Sequence, residues 1–360
     1  NDYQNLKLLN SINPEETLFV ISSKSFSTIE TIENAKFIIN YFKVPKNEFM
    51  KNFIAITSNE KKAEEFGIKN IIKFGEYING RYSIWGAIGF PISCYIGFEN
   101  FLEFLKGGRE IDEHFKNEKF KRNVPVILGL LDVYYNNFLN FVGTAIICYD
   151  KRLEKFYKYI QQLWMESNGK SVDRNGNFIN YNTAGIVFGG VGTDVQHSFF
   201  QLLHQGTRKI LCDFICVANT NKEISHLHNI IISAFIGQTE ALMNGKTEEE
   251  VIKELKGKMS EEEIKKILPY KIFTGNKPTN SILLKSITPR TIGKLIALYE
   301  HRIFVEGIVE NIYSFDQFGV ELGKEITEKI LESIEKNKIS ENFSSSTLNL
   351  IKIYNEWSLK

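Results

Sequence analysis

The chain has 360 residues, enough for two domains with ordinary hydrophobic cores. Apolar residues make up 43% and charged residues 24%, a balance typical of soluble globular proteins, and the formal net charge is +1. So small a charge gives no general field for nucleic acid or anionic lipid, and no uncharged apolar run reaches membrane-spanning length.

Residues 1–16 read as a helix and a connector, and the apolar run 17–21 predicts a buried strand. Between that strand and a helix marked by Ile29, Ile32, Ala35, Ile38, Ile39 and Phe42 lies Ser22-Ser23-Lys24-Ser25-Phe26-Ser27-Thr28. Free backbone N–H groups and the positive end of a helix dipole gather at such a junction. Lys24 and the crowded hydroxyls favour a phosphate site; an ordinary Ser/Thr turn with Thr28 as N-cap is the bland alternative. Residues 52–57 and 71–74 predict two more strands, with a short helix over 60–66 between them. Strands alternating with helices imply parallel β in a three-layer α/β/α arrangement. Ligands bind beyond the carboxyl ends of strands in such sheets. Arg81, in the loop after the third strand, is therefore a candidate on the same rim, or else a plain surface charge.

From 84 to about 122 the pattern is helical, broken at Pro91 and at Gly107-Gly108, and residues 124–141 form another apolar helix. A second strand–helix series opens at 144–150, placing a domain boundary near 108–124. The next helix runs over about 151–167 and stops at Asn168-Gly169. Gln162 and Glu166, four apart, share one of its faces. An acid at a helix C-terminus is badly placed for the dipole, which hints that Glu166 serves chemistry; a solvated acid at a frayed end is the common alternative. A strand over 184–188 leads into the glycine-rich loop Gly189-Gly190-Val191-Gly192-Thr193-Asp194, which lacks both the GxGxxG spacing and the GK[ST] ending of nucleotide loops. His197 then falls in the first turn of a helix, as a neutral imidazole or as a packed residue in equal measure.

Residues 210–217 predict a buried strand and 224–243 a long helix. Capping boxes at Thr247–Glu250 and Ser260–Glu263 explain the acidic runs there. A polar connector over 275–281 precedes a strand at 282–284, and Thr288-Pro289 opens a helix to about 304. With a helix starting near Asp316, Gln317, Glu321 and Lys324 form one polar stripe, either solvated or facing a ligand. Cys94, Cys148, Cys212 and Cys216 read as reduced core residues of a cytosolic protein, and His226 and His228 diverge too far on a helix to hold a metal together. Together these residues suit proton transfer on a phosphorylated small molecule, with neither metal nor cofactor.

Several segments go further: SSKSFSTIET (22–31), NGRYSIWGAIG (79–89), MESNGK (165–170), GTDVQHSFFQLLHQGTRKILCDF (192–214), GQTEALMNGK (237–246), GNKPTNSI (275–282), ALYEHRIFVEG (297–307) and SFDQFGVELGK (314–324). In this order they resemble the C-terminal two-thirds of the glucose-6-phosphate isomerase family. The resemblance implies an α/β fold of two sugar-isomerase (SIS) domains with mainly parallel sheets. The first would be partial, over 1–110; the second would span 111–305; a helical tail over 306–360 would carry Gln317 and Lys324. It implies that Ser23, Lys24, Ser25 and Thr28 hold the sugar phosphate and that Glu166 shuttles a proton between C2 and C1. Arg81 would stabilise the cis-enediol(ate), and His197 and Lys324 would open the sugar ring. Gln162 and Gln317 would position hydroxyls, and Glu30 would support the site from behind. In this family the histidine comes from the partner subunit, so a cytoplasmic homodimer acting on a hexose 6-phosphate is expected, with no cofactor, metal, nucleic acid or membrane. A dual phosphoglucose/phosphomannose isomerase and a non-catalytic sugar-phosphate-binding SIS protein are the rival readings. Two departures stand out. GGVGTDVQH replaces the family's usual GEPGTNGQH, and the family's phosphate-binding GIGGS loop would lie upstream of Asn1, so the chain is expected to be a truncated isomerase, inactive or unstable by itself.

Overall fold

The first strand–helix series closes into a three-stranded parallel sheet in the computed structural model, which describes residues 2–42, 46–220, 223, 225–336 and 343–358. Its elements are β1 (Phe19–Ser22), α1 (Ile29–Phe42), β2 (Phe53–Thr57), α2 (Glu60–Phe66) and β3 (Asn70–Lys73). The order is β1-β2-β3, with Ile21 opposite Ala55 and Ile56 opposite Ile72. Ile21, Ala35, Phe49, Phe53, Ala55, Ala63 and Ile68 pack into one buried cluster, so both helices and the sheet share a single core. All three strands point the same way, which puts their carboxyl ends on one rim.

The second series supplies α3 (Phe98–Asn117), α4 (Val124–Phe138), β4 (Phe141–Tyr149), α5 (Phe156–Asn168), β5 (Ile186–Val191), β6 (Lys209–Val217), α6 (Ser225–Asn244), β7 (Thr279–Leu284) and α7 (Pro289–Val309). Its parallel sheet has the order β5-β4-β6-β7. Successive side chains of a strand point to opposite faces, and the central strand β4 shows this directly. Ile146 and Cys148 join Leu163, Trp164, Tyr299 and Ile303 on one side. Ala145, Ile147 and Tyr149 join Phe214, Phe235 and Leu242 on the other. Helices cover both faces, so β4 and β6 are mainly apolar on both sides rather than alternating, Asp213 of β6 being the charged exception.

Two expectations need correcting. Gly107-Gly108 does not break a helix, because α3 passes through both glycines without interruption. A Cβ on Gly107 would run into the Arg290 carbonyl, and one on Gly293 of α7 would run into the Phe104 carbonyl. The two helices cross backbone to backbone there, a contact that only glycine allows. Cys94 is exposed, unlike the buried Cys148, Cys212 and Cys216; it lies on a short helix, Phe90–Ile96, none of whose residues is buried.

A charged clamp holds the second core together. Arg302 on α7 is fully buried and donates from Nε and Nη2 to both carboxylate oxygens of Asp132 on α4, each at 2.6 Å, and from Nη1 to Asp213 of β6 at 2.5 Å. Asp213 also accepts from the Tyr299 hydroxyl and from Asn280 Nδ2, each at 2.7 Å, so every charge in the clamp has a partner in reach. Burial raises the Asp132 carboxyl to about 6 against the pull of Arg302.

The chain divides into two compact units, 1–314 and 315–360. The smaller has a 3-10 turn, Phe318–Val320, then α8 (Glu321–Glu335) and α9 (Ser345–Trp357), whose start is capped by the Ser344 side chain accepting from the Thr347 N–H. No described helix is long and apolar enough to cross a membrane.

Candidate active site

The hydroxyl-rich segment leaves the carboxyl end of β1 as a tightly tied loop. Its anchor is the backbone carbonyl of Lys24, which accepts from Ser58 N at 3.0 Å, Thr57 Oγ1 at 3.0 Å and Ser58 Oγ at 2.7 Å, all at the end of β2. Phe26 is buried with φ +49°, a left-handed conformation unusual for a bulky residue, and its ring packs edge-on against Phe66. That buried ring holds the loop in a shape its hydroxyls do not dictate, and no local pattern in the chain announces it. Ser23 and Thr28 hydroxyls lie 3.1 Å apart and those of Ser25 and Ser27 2.7 Å apart. Ser23 is buried, Lys24 and Thr28 are half-buried, and Ser25 is exposed. Glu30 stands exposed in the first turn of α1.

Arg81 follows β3 in the 3-10 turn Gly80–Tyr82 and is buried, 5% exposed, not a surface charge. Its Nε donates to Ser167 Oγ at 2.8 Å and its Nη2 to the Ser314 carbonyl at 2.6 Å. Its Nη1 lies 3.6 Å from Glu166 Oε1. Glu166 Oε2 accepts from Gln162 Nε2 at 3.0 Å, one turn back on α5 as the spacing predicts. Lys170 Nζ caps the end of that helix by donating to the Glu166 carbonyl at 2.8 Å. Arg81, Glu166 and Gln162 therefore form one constellation, with the Glu166 side chain 23% exposed and so open to a reactant.

The surroundings are largely buried. Burial pushes the Tyr82 hydroxyl up to about 12 although it bonds to Ser167. Burial likewise raises Glu300, which accepts from Trp85 and Tyr159, to about 8. A half-buried carboxylate beside a buried guanidinium can take a proton from carbon while the arginine balances charge developing on the neighbouring oxygen.

Other candidates are placed differently from expectation. Gly189, Gly190 and Val191 belong to β5, paired with Ile146, Ile147 and Cys148, because the backbone ladder continues through the glycines. The helix after them, Gly192–Val195, ends early, and His197 sits exposed in the turn before the helix Phe200–Gln205, not in a first helical turn. Among the described residues, no hydrogen bond or ion pair ties its side chain to the Arg81–Glu166 pair. In the smaller unit Gln317 is non-helical, φ −153° and ψ 44°, ahead of the 3-10 turn, so it does not share a helical stripe with Glu321 and Lys324. Gly319, which would cost about 1 kcal/mol in a helix, lies in the 3-10 turn before α8, whereas Gly323 is carried within α8. Lys324 is exposed on α8.

Two parallel sheets packed with helices, on both faces in the second, define a layered α/β class of protein. A family model described as phosphoglucose isomerase matches residues 2–351, and the chain belongs to that family. It is 48% identical over 351 residues to a glucose-6-phosphate isomerase of Christiangramia forsetii, covering 96% of this chain and 64% of that one. It is also similar to the crystal structure of a glucose-6-phosphate isomerase from Chlamydia trachomatis, with a TM-score of 0.82 and 30% identity over 99% of this chain and 66% of that one. A hypothetical protein from Thermus thermophilus, 20% identical with a TM-score of 0.72 over 92% of this chain and 75% of that one, shares the fold. The chain thus spans about two thirds of the length of the two named isomerases.

Proposed function

We propose that this chain carries the proton-transfer centre of an enzyme interconverting D-glucose 6-phosphate and D-fructose 6-phosphate. The observation that carries the reading is the buried Arg81 guanidinium, in the turn after β3, 3.6 Å from the half-buried Glu166 carboxylate at the end of α5. Glu166 moves the proton between C2 and C1 of the opened sugar, and Arg81 stabilises the enediolate oxygen in a site poor in water. Ser23, Lys24, Ser25 and Thr28 bind the phosphate, Gln162 and Gln317 orient hydroxyls, and Glu30 braces the loop. His197, delivered by a second copy of the chain, and Lys324 open the ring. Two α/β/α units, over 1–110 and 111–305, and a tail over 306–360 fit the reading, since the first sheet lies within residues 19–73 and the second within 141–284. A cytoplasmic homodimer completes it.

The test is a coupled assay in chelator on this chain and on a form extended to the length of its relatives, with glucose 6-phosphate and mannose 6-phosphate offered separately. Glu166→Gln should lower kcat by about 10²–10⁴-fold with the Tm unchanged. An active wild type with an equally active variant removes Glu166 as the base. Hexose phosphate binding without turnover in both lengths replaces the enzyme with a sugar-phosphate-binding protein.

A further inference from the structure

The grip on Arg81 reaches well behind the residues that would touch substrate. A guanidinium is a rigid planar fork, so fixing Nε and one terminal nitrogen fixes where the other points. Ser167 Oγ takes Nε and the Ser314 carbonyl takes Nη2. The Ser314 residue is itself tied down: its hydroxyl donates to Asn168 Oδ1 at 2.7 Å. Asn168 Nδ2 then donates to the Ile303 carbonyl at 2.9 Å and to Glu306 Oε2 at 2.6 Å, an oxygen that also accepts from Trp164 Nε1 at 2.5 Å. Ser167 and Asn168 are fully buried, and Ser314 and Glu306 nearly so. Gly307 makes room for the crossing, since a Cβ there would collide with Ser314 Oγ and lie 3.0 Å from Asn168 Oδ1.

We propose that Asn168 is a positioning residue for the proton transfer: by bridging Ser314 to Glu306 it fixes the carbonyl that aims Arg81 at Glu166. The inference rests on the isomerase reading of those two side chains. Glu166, Ser167 and Asn168 are consecutive at the end of α5, so the base, the acceptor of Arg81 Nε and the brace of Ser314 move as one rigid piece. Reacting groups held this way keep a near-attack geometry that a small displacement would lose. A buried amide needs its bonds for stability in any case, so what marks a positioning role is that the group Asn168 holds is the residue whose carbonyl accepts from Arg81.

The experiment follows the ¹⁵N–¹H signal of Arg81 Nε in the 360-residue chain, identified by its loss in Arg81→Lys, alongside kcat and KM across pH in whichever length is active. Asn168→Asp keeps the side chain's size and the oxygen facing Ser314 but replaces the amide donor with a carboxyl. Ser314→Ala, a milder change, removes only the hydroxyl. Both should shift or broaden the Arg81 signal. Both should lower kcat by about tenfold with KM within about threefold, and for Asn168→Asp the deficit relative to wild type should deepen as rising pH ionises the new carboxyl. An unmoved Arg81 signal in folded variants, with only Tm lowered, overturns the proposal. So does a moved signal with kcat unchanged in an active enzyme. If neither wild-type length turns over hexose phosphate, the isomerase reading falls, and the Arg81 signal alone decides whether Asn168 sets that side chain.

Discussion

Glu310 is 3% exposed just past the end of α7, and neither of its carboxylate oxygens has a hydrogen-bond partner among the described residues. Burial, then Glu306, then Asp132 push its carboxyl up to about 10, and burial raises Glu306 and Glu300 to about 8. Each value lies above the roughly 4.3 of an unfolded glutamate, so between the two the native state holds a proton that the unfolded chain has released. The stabilisation is complete below about pH 4 and is lost as pH rises through about 8 to 10. Urea midpoints should therefore fall from about pH 6 to about pH 9. Glu310→Gln should remove part of that slope, gaining on wild type by at most about 1.4 kcal/mol per pH unit. Midpoints that stay level or rise over this range would show that the three acids are ionised in the native protein. Nothing in the sequence around Glu310 marks it as buried. Glu166 and Arg81 were legible because they sit in segments resembling a known family. Ser167, Asn168 and Ser314 lie in those same segments, yet their part was unreadable, since it arises from contacts across 86, 146 and 233 residues.

At the scale of elements, the periodicities 2 and 3.6 put the strands and helices in their right order, because burial repeats with those periods. They failed where glycine was taken as punctuation. Gly107-Gly108 and Gly189-Gly190 looked like breaks but continue a helix and a strand, for a reason that lies on a neighbouring element and not in the local sequence. The difference is testable with a pair of substitutions. Gly237 lies within α6, and a Cβ added there meets nothing within 4 Å. Gly237→Ala should raise stability by up to about 1 kcal/mol, the ordinary helix gain. Gly107→Ala has the same local advantage but must push back the Arg290 carbonyl, and should cost about 1–3 kcal/mol. Equilibrium urea denaturation reads both. Equal signs for the two substitutions would mean that the α3–α7 crossing is looser than described.

For the whole molecule, the parallel first sheet sends both the hydroxyl-rich loop and the segment leading to Arg81 out from carboxyl strand ends, for each follows a strand of the same direction. The settings of His197 and Lys324 were not legible in the same way, since His197 falls in a turn and Lys324 on the exposed face of α8. One internal feature also sets the protein's timescale. The Arg302 clamp joins α4, β6 and α7 across 170 and 89 residues of chain. Contacts so distant in sequence must wait for large loops to close, so the clamp belongs late in folding, after the local strand–helix units have formed. Asp213→Ala, which leaves Arg302 paired to Asp132 alone and takes the acceptor from Arg302 Nη1, the Tyr299 hydroxyl and Asn280, should cost about 3–5 kcal/mol. The loss should appear chiefly as faster unfolding in stopped-flow measurements, with the folding rate little changed; a slowed folding limb would instead put the clamp in the nucleus. The buried arginine thus governs less how quickly the chain finds its structure than how long it keeps it.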